Sequence, residues 1–304
     1  MDYAGFKLRL KQALLSGNGP KLLQKLFDAP YRYNSNLHPF NIVTKMEQSF
    51  LRTQENKYYK FILECAEYTF SQSFDSENTE FLKNSFNLKY IDKTALEGEA
   101  EDLTPEQLVS ASKSCKFRVN LAWINHESKQ VYIIQAKKQD TDSPKQIMDL
   151  IDKIDERLQA LAQNYVDFKI NYFVWFVNDF YTNNYDLLNE GSIKLSNETT
   201  DFKAFYGSSL FGNFNLRSNW DEIAKHIVEF KAEDWSELLK MPNLNTDPET
   251  LEYMISLKES SWDKIISDDA NASKIRELIF DLSDPNNNFD QAKAKRNIIM
   301  VEQE

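Results

Sequence analysis

The stretch Val131-Tyr-Ile-Ile-Gln-Ala-Lys-Lys138 decides the fold, because it is an apolar run that ends in polar residues. Successive side chains of a β-strand point to opposite faces, so Gln135 and Lys137 share one face at the end of this strand. A buried strand has little reason to end in an amide and an ammonium group unless both face a cleft. This pair is the first candidate for a functional site.

A second strand-like run, residues 116–124, precedes this strand, and residues 125–129 between them have the length of a hairpin loop. Alternation along the run places two sets of side chains on opposite faces: Phe117, Val119, Leu121 and Trp123 on one, and Arg118, Asn120 and Ala122 on the other. If the two strands pair, Asn120 lies close to Gln135 and Lys137.

The rest of the chain is mostly helical in pattern. Apolar spacing and turn signals predict two short helices in 3–28, a long helix over 44–73, a helix over 143–165, a buried strand over 169–177, and mostly helices from about 200 onward. We expect a loop or an irregular edge at 88–102, a loop at 284–289, and a helix that begins at Thr104. A hairpin, a helix and a further strand predict an α/β fold of the α+β type, with a central mixed β-sheet flanked by helices. We expect a core over 1–200 and a helix-rich C-terminal part over 201–304, packed on the same domain.

Composition excludes several classes of protein. The 304 residues include 7 Gly and no G-x-G-x-x-G or Walker-type motif, which argues against the common nucleotide-dependent enzymes. Cys65 and Cys115 lack metal-ligand spacing, and the chain has no apolar stretch of membrane-spanning length, so we expect a reduced protein of the cytoplasm. The net charge of −11 argues against non-specific binding of nucleic acid but allows a local basic groove.

Val119-Asn-Leu-Ala followed by Val131-Tyr-Ile-Ile-Gln-Ala-Lys-Lys resembles the PD-(D/E)XK nuclease superfamily, and within it type II restriction endonucleases. The Gln-x-Lys variant also occurs in Mrr-like and other phage-defence nucleases. The resemblance implies a restriction-endonuclease-like sheet and a sequence-specific, Mg²⁺-dependent endodeoxyribonuclease of a restriction or phage-defence system. Mn²⁺ would substitute for Mg²⁺, the substrate would be double-stranded DNA, and a homodimer would cut both strands.

The resemblance also assigns roles to residues. Asn120, Gln135 and Glu64 would hold the metal, with Glu67 and Glu47 as alternatives to Glu64, and Lys137 would orient or help deprotonate the attacking water. A cluster of mostly basic residues around the hairpin either contacts DNA or is a solvated face: Lys113, Lys116, Arg118, Lys138 and Gln139.

One departure from the family concerns Asn120, where these nucleases have a metal-binding Asp. Three explanations compete: a substitution introduced to trap an uncleaved complex, which we favour, a naturally inactive relative, or a replacement carboxylate from Asp140 or Asp142. The rival function is a non-catalytic DNA- or protein-binding module with a decayed nuclease fold. The structural alternative is that Asn120 is bonded locally and that Lys137 extends from the strand end towards solvent.

Overall fold

The computed structural model describes residues 1–35, 37, 39–91, 112–189, 195, 198–233 and 235–303. The chain divides into two compact units, the first formed by residues 1–61 and 225–304 and the second by residues 62–224. The helix that we predicted to begin at Thr104 lies outside the described residues. Among the described helices, none combines the length and the apolar character needed to cross a membrane.

The first unit is helical. Its elements are α1 (Tyr3–Leu15), α2 (Asn18–Asp28), the 3₁₀ turn Pro30–Arg32, the first part of α3 (Ile42–Ser73), the last part of α7 (Arg217–Lys231), the 3₁₀ turn Ser236–Leu239, α8 (Pro248–Ser256), α9 (Glu259–Ile266), α10 (Ala270–Ile279) and α11 (Asn288–Gln303). Gly17 separates α1 from α2 with a φ of 65°, a left-handed conformation that glycine adopts without steric cost. The apolar faces of these helices share a core that includes Leu23, Leu26, Met254 and Ile275.

The predicted loop at 284–289 is wrong in its last two residues, because α11 already begins at Asn288. The side-chain oxygen of Asn287 accepts a hydrogen bond of 2.9 Å from the backbone N–H of Asp290. An Asn-rich stretch of this kind caps a helix as well as it forms a loop.

The second unit contains a five-stranded mixed sheet and a two-stranded sheet. The larger sheet has the order β1 (Thr79–Phe81), β4 (Leu121–Asn125), β5 (Gln130–Asp140), β6 (Lys169–Thr182) and β7 (Thr200–Tyr206). The pairs β1–β4 and β4–β5 are antiparallel, and the pairs β5–β6 and β6–β7 are parallel. The smaller sheet pairs β2 (Ser85–Ile91) with β3 (Ser112–Arg118). The helices of this unit are the end of α3, α4 (Pro144–Asn164), α5 (Tyr185–Asn189), α6 (Ser209–Gly212) and the start of α7.

Different side chains cover the two faces of the larger sheet. Val131, Ile133, Tyr172 and Val174 pack with the apolar stripe of α4 on one face. Aromatic side chains cover the other face: Trp123 contacts Phe70 of α3 and Tyr132 of β5, with ring centroids 5.1 and 5.0 Å apart, and Trp175 contacts Trp220 of α7. The predicted α+β fold, with a mixed sheet flanked by helices and a helix-rich C-terminal part, is confirmed.

Three details of the predicted elements need correction. Residues 88–91 belong to strand β2 and not to a loop. Residues 116–124 are not one strand, because Val119 and Asn120 lie between β3 and β4 and belong to neither. Residues from about 200 onward are mostly helical as predicted, but they begin with strand β7.

The break at Val119 and Asn120 changes which side chains share a face. Phe117 and Val119 pack in the core beside α4 together with Ala122 and Ile124, and Trp123 lies among the aromatic rings of the opposite face. Across the two residues between β3 and β4, the period-two alternation shifts by one position. The predicted face assignment is therefore wrong beyond Asn120.

Candidate functional site

Gln135 is held by two polar side chains beneath the sheet. Its Oε1 atom accepts hydrogen bonds of 2.8 Å from Nη1 of Arg157 on α4 and of 2.8 Å from the hydroxyl of Tyr172 on β6. Nη1 of Arg157 also lies 2.7 Å from the Tyr172 hydroxyl, and the guanidinium group sits 5.1 Å from the centroid of the Phe117 ring. The amide oxygen predicted to bind a metal thus accepts hydrogen bonds within a partly buried network, beside the positive charge of Arg157.

The side chain of Asn120 binds the neighbouring strand. Its Oδ1 atom accepts a hydrogen bond of 2.7 Å from the backbone N–H of Ala136, and the backbone N–H of Asn120 donates to the carbonyl of Ile134 at 3.0 Å. Asn120 therefore continues the β4–β5 ladder past the point where β4 begins. Its side chain reaches β5 between Gln135 and Lys137, as the predicted pairing requires. However, its oxygen is used for a hydrogen bond to the backbone of β5, whereas the prediction assigned it to a metal.

The Nζ atom of Lys137 donates a hydrogen bond to the carboxylate of Asp142, with which it also forms an ion pair. Both side chains are partly buried. This pairing corrects the view that Lys137 only extends towards solvent, and it occupies one of the two carboxylates proposed as replacements for the missing Asp.

Asp140, the other proposed replacement, is completely buried. Its carboxylate accepts hydrogen bonds from the backbone N–H of Asn184 at 2.7 Å, from the amide of Asn184 at 2.6 Å and from the hydroxyl of Tyr206 at 2.9 Å. Burial raises the pKa of Tyr206 far above its usual range, and the bond to Asp140 raises it further. This carboxylate ties the end of β5 to the chain before α5 and to β7, so it does not face a ligand site.

Glu64 does not meet the other predicted ligands. The end of α3 packs through Phe70 on the aromatic face of the sheet, whereas Gln135 points to the face covered by α4. Glu64 and Glu67 are exposed on that helix, and Glu47 belongs to the first unit. The described residues contain no group of three or more His, Cys, Asp or Glu side chains that could hold a metal ion.

These donors do not fit a magnesium ion. Mg²⁺ prefers several oxygen ligands, usually with one or two carboxylates. Apart from the carboxylate of Glu64, the predicted set offers two amide oxygens, of which one lies 2.8 Å from a guanidinium nitrogen and the other binds a backbone N–H. We derive no metal-dependent step from this arrangement.

The smaller sheet presents a different kind of surface, which we call the ribbon face. It consists of the side chains of β2 and β3 that point away from the core: Ser85, Asn87, Lys89, Ile91, Ser112, Ser114, Lys116 and Arg118. All except Ile91 are exposed, while Phe86, Tyr90, Cys115 and Phe117 of the opposite face pack against α4. The ribbon face therefore holds three cations, one amide and three hydroxyl groups, and no acidic residue.

The cations of the ribbon face have no carboxylate partner in the part of the chain that the structure describes. No ion pair within 4.0 Å joins Lys89, Lys116 or Arg118 to a described carboxylate. Ser85, Asn87, Lys116 and Arg118 also line an open depression of about 480 Å³. Unpaired cations beside hydroxyl and amide groups are suited to bind phosphate oxygens.

The structure separates the predicted DNA contacts into groups. Lys116 and Arg118 lie together on the ribbon face, whereas alternation points Lys113 to the other side of β3. Lys138 and Gln139 are exposed near the end of β5, in the larger sheet.

Two features of the structure are indicated by signals in the sequence that our predictions do not use. The alternation of Phe86, Leu88 and Tyr90 with polar residues is the period-two pattern of strand β2, which overlaps the predicted loop or irregular edge at 88–102. Arg157 lies three residues after Ile154 and four before Leu161, which puts a cation on the buried stripe of α4.

Comparisons of this chain with protein-family models, with curated proteins and with solved structures gave no match in any of the three.

Proposed function

We propose that this chain binds double-stranded DNA through the ribbon face and that the polar residues at the end of β5 stabilise the fold instead of cutting DNA. The observation that carries the proposal is the acid-free, basic face of an antiparallel two-stranded ribbon in a chain of net charge −11. The major groove of B-DNA admits a two-stranded β-ribbon, and ribbons of this kind read DNA in known complexes.

The ribbon has suitable dimensions and chemistry for this role. Seven residues of an antiparallel strand span about 24 Å, and the two strands lie about 5 Å apart, which leaves room for side chains in a groove about 12 Å wide. Lys89, Lys116 and Arg118 would contact phosphates, and Arg118 and Asn87 have the donors and acceptors that distinguish bases. The acidic remainder of the chain would repel DNA, which favours binding at the ribbon.

The proposal is tested by binding of a fluorescent 16-base-pair duplex to the full chain at several salt concentrations. Lys116→Glu with Arg118→Glu should weaken binding by at least about tenfold and reduce the slope of log K against log salt by about 1.8, because about 0.9 is lost for each phosphate contact. Lys153→Glu with Lys169→Glu makes the same change in net charge at exposed positions outside the ribbon and should leave the slope unchanged. Equal effects of the two double variants would contradict the proposal.

The endonuclease implied by the resemblance remains a second candidate, favoured by the meeting of the Asn120 side chain with β5 between Gln135 and Lys137. A cleavage assay on plasmid DNA with Mg²⁺ or Mn²⁺ separates the two candidates. On our proposal neither the parent chain nor its Asn120→Asp variant cuts DNA. Discrete fragments from Asn120→Asp that disappear when Lys137→Ala is added would establish the endonuclease. The homodimer stays a prediction, which sedimentation of the free and DNA-bound chain tests.

A further inference from the structure

A basic cleft lies within the first unit, in a part of the chain that precedes all the strands. Its walls are formed by α2, the turn Pro30–Arg32 and the first part of α3, and it has a volume of about 1140 Å³. This volume is above the usual range of about 300–1000 Å³ for small-molecule pockets, and the lining residues are mostly exposed. The shape suits a segment of a polymer better than an enclosed small ligand.

Four cations line this cleft: Lys25, Arg32, Lys45 and Arg52. The carboxylate among the described lining residues, Asp28, is engaged with Nζ of Lys264 at 2.6 Å. No ion pair within 4.0 Å joins any of the four cations to a described carboxylate. The cleft therefore has an excess of positive charge in an acidic chain, and it is suited to bind a polyanion.

The spacing of residues on α3 concentrates this charge on one wall. Lys45, Gln48, Ser49, Arg52 and Asn56 recur at three- and four-residue intervals and line the cleft together. Two cations thus share one helix face with amide and hydroxyl groups. Positively charged, amide and hydroxyl side chains are the types that contact phosphates and the edges of bases, and here they lie in one row.

An aromatic ring completes the cleft. Tyr31 is 65% exposed, although it lines the cleft, and the guanidinium group of Arg32 lies 5.8 Å from the centroid of its ring. A large exposed aromatic side chain beside cations is the combination with which proteins hold unpaired bases and their backbone. A duplex keeps its bases stacked inside and offers no free base face to such a ring.

We propose that this cleft binds single-stranded nucleic acid. Lys25, Arg32, Lys45 and Arg52 contact the phosphates, and a base stacks on Tyr31. This site is separate in sequence from the ribbon face and does not depend on the function proposed for it.

The test measures binding of a fluorescent 12-nucleotide oligothymidylate to the full chain by anisotropy. Lys45→Glu with Arg52→Glu should weaken binding by at least about tenfold and reduce the salt slope by about 1.4, since about 0.7 is lost for each contact with a single strand. Tyr31→Ala should weaken binding by about tenfold, and Tyr31→Phe should preserve it, because stacking needs the ring and not the hydroxyl.

A matched control is the double variant Lys293→Glu with Lys295→Glu, which makes the same change in net charge at exposed positions of α11. It should change the affinity by less than about threefold. Circular dichroism verifies that each variant retains the helical content of the parent chain. Absence of oligothymidylate binding at low salt, or equal losses in the cleft and control variants, would overturn the proposal.

Two further outcomes identify a different ligand. Loss of duplex binding in Lys45→Glu with Arg52→Glu, with single-strand binding intact, would overturn the single-strand proposal. Binding to vesicles of phosphatidylserine that depends on these two residues, without oligonucleotide binding, would overturn it as well. The ribbon variant Lys116→Glu with Arg118→Glu should leave oligothymidylate binding intact, so failure of one proposal is distinguishable from failure of the other.

Discussion

Asp140 offers the sharpest test of whether the polar groups at the end of β5 stabilise the fold. The carboxylate is completely buried and accepts three hydrogen bonds, two from Asn184 and one from Tyr206. It connects β5 to two segments that follow it in the chain. If its role is structural, replacing it should lower the free energy of unfolding in proportion to the donors left without partners.

Asp140→Ala leaves two donors unpaired, the backbone N–H of Asn184 and the hydroxyl of Tyr206. The amide nitrogen of Asn184 keeps a second acceptor, the carbonyl of Asp142 at 3.0 Å. Each unsatisfied buried donor costs about 1–3 kcal/mol, so the expected loss is about 2–6 kcal/mol. This loss is large against the stability of an ordinary domain, about 5–15 kcal/mol.

Asp140→Asn should cost less, about 1–2 kcal/mol. One oxygen of Asp140 accepts from both the Asn184 N–H and the Tyr206 hydroxyl, and the carbonyl oxygen of an asparagine can take over both bonds. The amide nitrogen then faces the amide of Asn184, so one bond is lost. Comparing the two substitutions therefore separates the contribution of the hydrogen bonds to the free energy of unfolding from that of the shape of the side chain.

Urea unfolding followed by tryptophan fluorescence measures these losses, because Trp123, Trp175 and Trp220 belong to the second unit. The slope of the transition should stay constant while the midpoint falls. Adding Tyr206→Phe to Asp140→Ala should cost little more, because the partner of the hydroxyl is already absent. A loss below about 1 kcal/mol for Asp140→Ala, or equal losses for the Ala and Asn variants, would refute the reasoning.

Three further predictions concern other parts of the chain. Asn120→Ala should lower the urea midpoint by removing its side-chain bond to β5, and Asn120→Asp should retain that bond and most of the stability. Burial raises the pKa of the Cys115 thiol, so iodoacetamide at pH 8 should label it only after unfolding; labelling of the folded chain at the rate of free cysteine would contradict this. Hydrogen bonds from Lys7 and Tyr3 hold the pKa of Glu233 below its ordinary value of 4.5, so this carboxylate stabilises the fold above that value and the effect is lost as pH falls through the lowered pKa. Glu233→Gln should therefore be less stable than the parent at pH 7 in urea unfolding, and the difference should shrink below about pH 4; a difference independent of pH would contradict the assignment.

The regular elements follow from local patterns. Strand β5, the hairpin to β4, the helix after Ser143 and the buried strand β6 all appear where periodicity and capping residues predict them. Each of these signals depends on residues close together in the chain, such as the reciprocal bonds between Ser143 and Gln146. Predictions from local signals of this kind hold in the folded chain because tertiary packing favours the same secondary structure as the local sequence.

Whether the predicted metal site forms depends on contacts between residues far apart in the chain, which local sequence patterns do not contain. The resemblance grouped Asn120, Gln135 and Glu64, but the side on which α3 packs is decided by Phe70 and Trp123, far apart in the chain. The partner of Gln135 is Arg157, 22 residues later. A pattern that identifies a strand end as polar cannot tell whether the polar groups bind a ligand or each other.

The break at Val119 and Asn120 separates the ribbon, where we propose that DNA binds, from the polar end of β5. At these two residues the chain passes from β3, which pairs with β2, to β4, which forms the hairpin with β5. The same break turns Lys116 and Arg118 onto the exposed face of the ribbon and brings the side chain of Asn120 onto the backbone of β5. A carboxylate at position 120 would accept the same N–H, so charge alone would not make a metal site while the Arg157 guanidinium remains 2.8 Å from the oxygen of Gln135. On our proposal the ribbon cations, which lack an acidic partner among the described residues, meet the phosphate backbone of DNA.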